Sequence, residues 1–378
     1  MTKYILTIAF ILVLIFNGCN DGVLNPSDTL DETIPIMEVY MDEEDYQNLM
    51  SNHVLSAEVG CKLFYENKDY LAQIQPQGAG SRLKDKWAYH IKLQNYNRIE
   101  DLPEFNLSAQ VYDKTMLRTT LTTALYKEAG FLTFDNKHIF LKINNEDEGL
   151  YPIIERIEQE FFDRRSIPVF ELYKLGFDSR FSFENDYNPE FFFKKEIPDN
   201  ENFSTLKDFI YAVDTCSSDK VFESLGKYLD VEDYIAYHAL TSLMNGFDAF
   251  TNNFLLYKST FDAPFEVIPW DFDKSFYEEE IVGIAGENHI IEKIFENAEG
   301  LNLYKEKVNY FLNTIYTEEN IFPIIDSTAA QIKSFYEIDP YLKNTYNFDN
   351  EIQNLKTFIL NRISYFKTNI DSYEGFGN

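Results

Sequence analysis

The sequence predicts an α+β protein, with a β-rich N-terminal half built around one main helix and a mostly helical C-terminal half. Three observations carry this. Residues 59–65, 70–75 and 87–93 alternate or run apolar at strand length. Leu206, Phe209, Ile210 and Val213 recur at i, i+3, i+4 and i+7, the spacing of one buried helix face. The chain of 378 residues has only 15 glycines and 12 prolines but 34 phenylalanines and 26 tyrosines, so helices and strands are long and a large core is available.

Taken in order, residues 36–41 form a strand and residues 43–50 a short helix. Residues 59–65 and 70–75 form a hairpin across residues 66–69. In residues 87–93, Tyr89, Ile91 and Leu93 share one face, and His90 and Lys92 the other. Residues 115–129 are the main helix, with Asp113 as its N-cap. Strands follow at 138–143 and 149–157. After Tyr173 the pattern turns helical: the face at Leu206 to Val213, then a helix capped by Asp230 and Asp233 and running to about Met244. Residues 253–258 and 265–270 read as a strand pair, and the last third carries two or three helices, one through Ile352, Leu355, Phe358, Ile359, Ile363 and Phe366.

Composition excludes several classes. With 45% hydrophobic residues the chain is neither disordered nor fibrous. With 63 acidic against 33 basic residues it carries a formal charge of −30, which repels nucleic acid, so no nucleic-acid partner is expected. Three cysteines cannot make a disulfide framework; Cys61 and Cys216 can pair outside the cytoplasm, and sequence separation leaves that open. The five histidines lack metal-ligand spacing, and no nucleophile-elbow motif occurs.

The amino terminus reads as an address. Residues 4–16 are an apolar run too short to span a bilayer, and they end in Phe16-Asn17-Gly18-Cys19. This resembles a bacterial lipobox, with Cys19 as the lipidated residue, although Phe16 and Asn17 depart from the usual pattern. The expected layout is a signal peptide at 1–18, a tether at 19–34, an N-terminal lobe at 35–172 and a helical lobe at 173–378. The expected location is the cell envelope, at the outer membrane or cell surface. The membrane is contacted through the lipid only, because so acidic a body is repelled by anionic headgroups.

Three segments carry candidate chemistry. Gln77-Gly78-Ala79-Gly80-Ser81-Arg82 joins two strands, and glycines there let backbone N–H groups approach a phosphate. A plain turn has the same composition, but Arg82, Lys84, Lys86, Lys92 and Arg98 face only Asp85 and Glu100 between residues 75 and 100. Positive charge so concentrated in an acidic chain suits a polyphosphate, and Arg118 on the next helix adds a donor. In the second segment, Asp248 and Asn253 have the D-x-x-x-x-N spacing of a kinase catalytic loop, where the Asp accepts the acceptor hydroxyl's proton and the Asn binds a metal. A helix-ending turn explains the same residues. In the third, Asp271 and Asp273 follow an apolar strand, where carboxylates are costly unless they hold a cation. One hairpin separates Asn253 from Asp271, which suffices to bring Asp248, Asn253 and Asp271 around a shared Mg²⁺.

Together these segments resemble the CotH kinase family, the spore-coat-protein-H-like atypical protein kinases. The matching pieces are residues 77–81, the basic stretch 86–92, Arg118, Gly149-Leu150-Tyr151 through Glu155, the 248–253 segment and Pro269-Trp270-Asp271-Phe272-Asp273. The resemblance implies a bilobal protein-kinase-like fold, ATP with Mg²⁺ or Mn²⁺, and transfer of the γ-phosphate to Ser or Thr of an exported acceptor protein. It implies Asp248 as the catalytic residue and Asn253, Asp271 and Asp273 at the metal. It implies Gly78, Gly80, Ser81, Arg82, Lys86, Lys92, Arg118 and Glu155 toward the nucleotide; a solvated strand end is the other reading of Glu155. The chain departs from the pattern at Gln77, Ala79 and Gly80, which leaves one fewer cation over the phosphates, and at Lys274, where the family carries Gly. The competing expectation is an inactive surface lipoprotein that keeps the scaffold for adhesion or partner binding.

Overall fold

The computed structural model describes residues 34–51, 58–78, 83–177, 179–183 and 188–376. The expected signal peptide, the expected tether up to residue 33, Cys19, Gly80, Ser81 and Arg82 lie outside the described residues.

The first half closes into a seven-stranded barrel of β1 (Ile36–Tyr40), β2 (Val59–Tyr65), β3 (Lys68–Gln77), β4 (Ala88–Leu93), β5 (Glu104–Leu107), β6 (Asn136–Ile143) and β7 (Glu146–Glu155), in the order β1-β2-β3-β4-β5-β7-β6. All neighbours are antiparallel except β1 and β6, whose parallel pairing of Ile36 with Phe140 closes the barrel. The expected alternation is what fills it. Val59, Cys61, Leu63 and Tyr65 of β2, Ala72 and Ile74 of β3, and Tyr89, Ile91 and Leu93 of β4 point into one apolar core. The first hairpin turns on Glu66 and Asn67 alone, both at positive φ, the backbone that two-residue turns require between right-twisted strands.

The helix after Glu43 is α1 (Glu43–Ser51). The main helix, α2, spans Arg118–Glu128 and so begins three residues later than expected. Asp113 still organises its start: its carboxylate accepts from the Thr115 and Arg118 backbone N–H groups, and this fold-back, with Met116 at positive φ, replaces the first expected turn. In the first half two elements without a periodic signal are additions to the expected list: β5, and α3 (Gln159–Arg165).

The second half is less purely helical than expected. β8 (Glu171–Leu175), β9 (Phe193–Ile197), β10 (Phe254–Lys258) and β11 (Glu266–Pro269) form a sheet in the order β11-β10-β8-β9. β8 straddles the expected division between residues 172 and 173 and belongs to this sheet. Helices α4 (Ser204–Thr215), α5 (Val221–Leu225), α6 (Val231–Leu243), α7 (His289–Phe295), α8 (Ala298–Thr314), α9 (Glu318–Tyr336) and α10 (Phe348–Asn369) complete it. α4 buries Leu206, Phe209, Ile210 and Val213, and Asp230 caps α6 by accepting from Asp233 N–H, both as the sequence predicts. α6 is buried on almost every side, which marks it as a central core helix. Cys61 and Cys216 are free thiols, one in the barrel core and the other in the core around α6, so no disulfide joins them.

Candidate active site

α6 ends at Leu243, with Met244 as its C-cap, and the 3₁₀ turn Phe247–Phe250 that follows carries Asp248. β10 then begins one residue after Asn253. The pairing of Phe254 with Pro269 sets Asn253 opposite Trp270, whose N–H donates to the Asn253 carbonyl at 3.1 Å. The expected return of the chain through one hairpin is therefore what the ladder does. Asn253 Nδ2 reaches the Asp271 carbonyl at 3.4 Å, and its side chain also bonds Asp248. Asp271 has φ +59, a left-handed conformation that is sparsely occupied outside glycine and that swings the chain off the strand toward the cleft.

Asp248, Asn253, Asp271 and Asp273 line one cavity of about 420 Å³ between the barrel and the second sheet. Gly78, Asn106, Ser108 and Gln110 form its barrel side. A second cavity of about 460 Å³ adjoins it, sharing Gln77, Asn106, Lys174, Leu175, Gly176 and Trp270, and opens toward Arg156, Glu158 and Phe191.

The electrostatics of this cleft are those of crowded carboxylates. Asp248 and Asp273 are half-buried, and Asp271 is open to the cavity space. Enclosure by the cleft walls, then the neighbouring carboxylates, pushes Asp273 well above the usual carboxylate range. Enclosure followed by the Asp248 charge raises Asp271, and enclosure raises Asp248. Two cations answer them among the described lining residues. Lys274 Nζ lies 3.3 Å from Asp248 Oδ2 and 4.7 Å from the centre of the Tyr112 ring. Lys174 Nζ lies 5.0 Å over the Trp270 ring, where enclosure lowers its basicity and Asp271 partly restores it.

Of the residues expected at the nucleotide, Gly78 lines the cavity, at φ +91. Four others do not line it, and three of them have partners elsewhere. Lys86 is buried, donating to the Leu150 carbonyl and to Asp339. Lys92 is exposed on the outer face of β4, opposite Glu104. Arg118 is buried beneath Tyr277, donating to the Tyr112 carbonyl and paired with Asp113 and Glu278. Glu155 is 1% exposed and neither faces the cleft nor ends in solvent; it accepts from Arg164, Arg165 and the Asp135 N–H. The Gly149-to-Glu155 stretch is thus structural here. A Cβ on Gly149 would collide with the Asp339 carboxylate, and Tyr151 donates to the Trp87 carbonyl. Lys174 carried no motif, and its signal was only an isolated cation in an apolar strand.

A cleft between a barrel and a sheet, with Asp, Asn and two further Asp side chains around one cavity, is the outline of a kinase-like site. The family model described as CotH kinase protein matches residues 74–366, and the chain belongs to that family. It is 27% identical over 309 residues to the inner spore coat protein H of Bacillus subtilis (strain 168), covering 77% of this chain and 85% of that protein. Among solved structures it is distantly similar to the HipA, HipB and operator DNA complex of Shewanella oneidensis MR-1, at a TM-score of 0.33 and 11% identity over 93% of this chain and 76% of that one. The proinflammatory kinase CtkA of Helicobacter pylori gives a TM-score of 0.31 and 12% identity over 84% and 97%.

Proposed function

We propose that the chain is an exported, ATP- and divalent-metal-dependent protein kinase of the CotH type, which transfers the γ-phosphate to Ser or Thr of an extracytoplasmic protein. The observation that carries the reading is the convergence of Asp248, Asn253, Asp271 and Asp273 on one cavity. Carboxylates that raise one another's proton affinity are short of positive charge, and Mg²⁺ or Mn²⁺ supplies it. Among the described residues no three acidic, His or Cys side chains form a closed metal cage. An Mg²⁺ bound by one or two carboxylates, with phosphate oxygens and waters completing its shell, needs none. Asp271, Asp273 and the Asn253 amide are the donors for it. When bound, such an ion offsets charge on the phosphate oxygens.

The chain's own residues do the rest. Asp248, at the cavity wall, accepts the proton of the acceptor hydroxyl as that oxygen attacks. Gly78 lets the barrel backbone approach the phosphates without a side chain in the way. The 460 Å³ cavity beside Trp270 and Lys174 suits the nucleoside, since its aromatic face stacks a base and Arg156 and Glu158 offer polar edges. The barrel and the helical half stand as the two lobes. The Cys19 lipid, the envelope location and an acceptor exported to the same compartment complete the proposal.

The test is transfer of labelled phosphate from ATP, together with Mg²⁺-dependent nucleotide binding by thermal shift. Asp271→Ala is expected to abolish transfer and the Mg²⁺ dependence of binding together. Asp248→Ala is expected to cut turnover by about 10²–10⁴-fold while Mg·ATP binding survives. Wild-type transfer in both variants would make these carboxylates structural and favour a binding scaffold without catalysis.

A further inference from the structure

Lys274 stands inside the cleft, on the segment that follows β11. It follows Asp273 directly and lines the same cavity as Asp248 and Asp271. Its ammonium is held by one carboxylate contact and one ring face, 3.3 Å from Asp248 Oδ2 and 4.7 Å from the Tyr112 centroid. The side chain retains 26% of its exposure, so its ammonium can be reached from the cavity. The lining carries three carboxylates, and a polyphosphate entering it meets repulsion unless cations stand at the point of entry. Of the basic residues expected to meet the phosphates, Arg82 lies outside the described residues and three lie elsewhere: Lys86 is buried against Asp339, Arg118 under Tyr277, and Lys92 on the outer barrel face. Among the described lining residues Lys174 and Lys274 remain. Lys174 stands over Trp270 at the junction with the second cavity, whereas Lys274 stands at Asp248.

We propose that Lys274 binds the terminal phosphate of the nucleotide, its ammonium passing from the Asp248 carboxylate to the phosphoryl oxygens as the nucleotide enters and so freeing Asp248 for the acceptor hydroxyl. This rests on the kinase reading above. In the transfer, the acceptor oxygen forms a bond to the γ-phosphorus, and the bond from that phosphorus to the bridging oxygen breaks. The bond's electron pair leaves with ADP, and the hydroxyl proton goes to Asp248. Lys274 keeps its protons throughout and acts by charge, so Arg can replace it in part and Met cannot.

The experiment compares wild type, Lys274→Met and Lys274→Arg, first checked for equal melting temperature in the absence of nucleotide. Affinity for Mg·ATP and Mg·ADP is measured by calorimetry, and transfer by single-turnover release of labelled phosphate to an added acceptor. Wild type is expected to prefer ATP to ADP severalfold. Lys274→Met should bind the two nucleotides equally and transfer roughly 100-fold more slowly, and Lys274→Arg should recover most of both. A Met variant that keeps the ATP preference or the wild-type rate overturns the assignment. So does one that weakens ATP and ADP alike, because the charge then acts on the cleft as a whole. A wild type that neither binds nor transfers overturns the kinase reading itself, a result distinct from wild-type transfer that survives the loss of Lys274.

Discussion

Lys86 Nζ lies 3.1 Å from the Oδ2 of Asp339, a carboxylate 253 residues further along the chain, and both side chains are buried. Asp339 also accepts from the backbone N–H groups of Leu150, Tyr341 and Leu342, so it ties the segment after α9 to β7 of the barrel. The Lys86 ammonium lies 4.6 Å from the Tyr151 ring centre.

This pair is expected to act on stability and not on nucleotide. Asp339→Ala strands a buried ammonium and two or three N–H donors together, and should cost about 3–5 kcal/mol. Lys86→Met removes the charge but keeps the volume, and should cost less, because Asp339 retains its backbone donors. Denaturant unfolding of both variants checks the order. ATP affinity of folded Lys86→Met should match wild type; a selective loss of ATP binding would return Lys86 to the nucleotide.

Glu155 is expected to behave as a structural anion. Its two oxygens collect Arg164, Arg165 and the Asp135 N–H, so Glu155→Ala leaves two half-buried guanidinium groups without their main partner. A loss of about 3 kcal/mol is expected, visible as a lower melting temperature. Nucleotide affinity measured well below the transition should be unaffected.

Asp233, in the first turn of α6, should make stability fall as pH rises. Burial, with Asp230 and Glu266 nearby, pushes its carboxyl up to about 7 in the folded chain, against about 3.9 when unfolded. Between those values the folded state holds a proton that the unfolded state has released. Raising the pH through that window therefore withdraws stability, by about 2 kcal/mol once solvent screening of a half-buried group is allowed for. Asp233→Asn should unfold at similar denaturant concentrations to wild type at pH 4 and at higher ones at pH 8. Equal shifts at both pH values would rule out this titration as the cause.

Cys19→Ser is expected to remove the membrane anchor. Wild type should sediment with membranes and partition into detergent, and the variant should be released or accumulate as uncleaved precursor. Identical fractionation of the two would remove the lipoprotein proposal while leaving the kinase reading intact.

Much of the fold was legible because its signals are local. The barrel strands from β1 to β4 alternate residue by residue, α4 shows a clean helical face, and α6 carries its own cap. β5 was missed because four residues, Glu104–Leu107, are too few for a period to show. β8 and β9 were missed because Lys174, Lys194 and Lys195 interrupt their apolar pattern. Of the site, the grouping of Asp248, Asn253 and Asp271 was legible, since one short hairpin sets their approach. The cations that line the cavity, Lys174 and Lys274, were not.

The amino-acid sequence by itself therefore determined the elements whose cause lies within a few residues, and the carboxylate set that a single hairpin brings together. Only the tertiary structure decided which charged groups meet. Lys86, Arg118 and Glu155 carry the residue types of a phosphate site, but ionic partners are chosen through space by distance and burial. Asp339, Asp113 with Glu278, and the Arg164–Arg165 pair claimed them. The same closure of the chain, with β1 on β6 and β8 on β10, left Lys174 and Lys274 facing the cleft. A side chain's charge is written in the sequence, but the partner it meets depends on segments tens to hundreds of residues away.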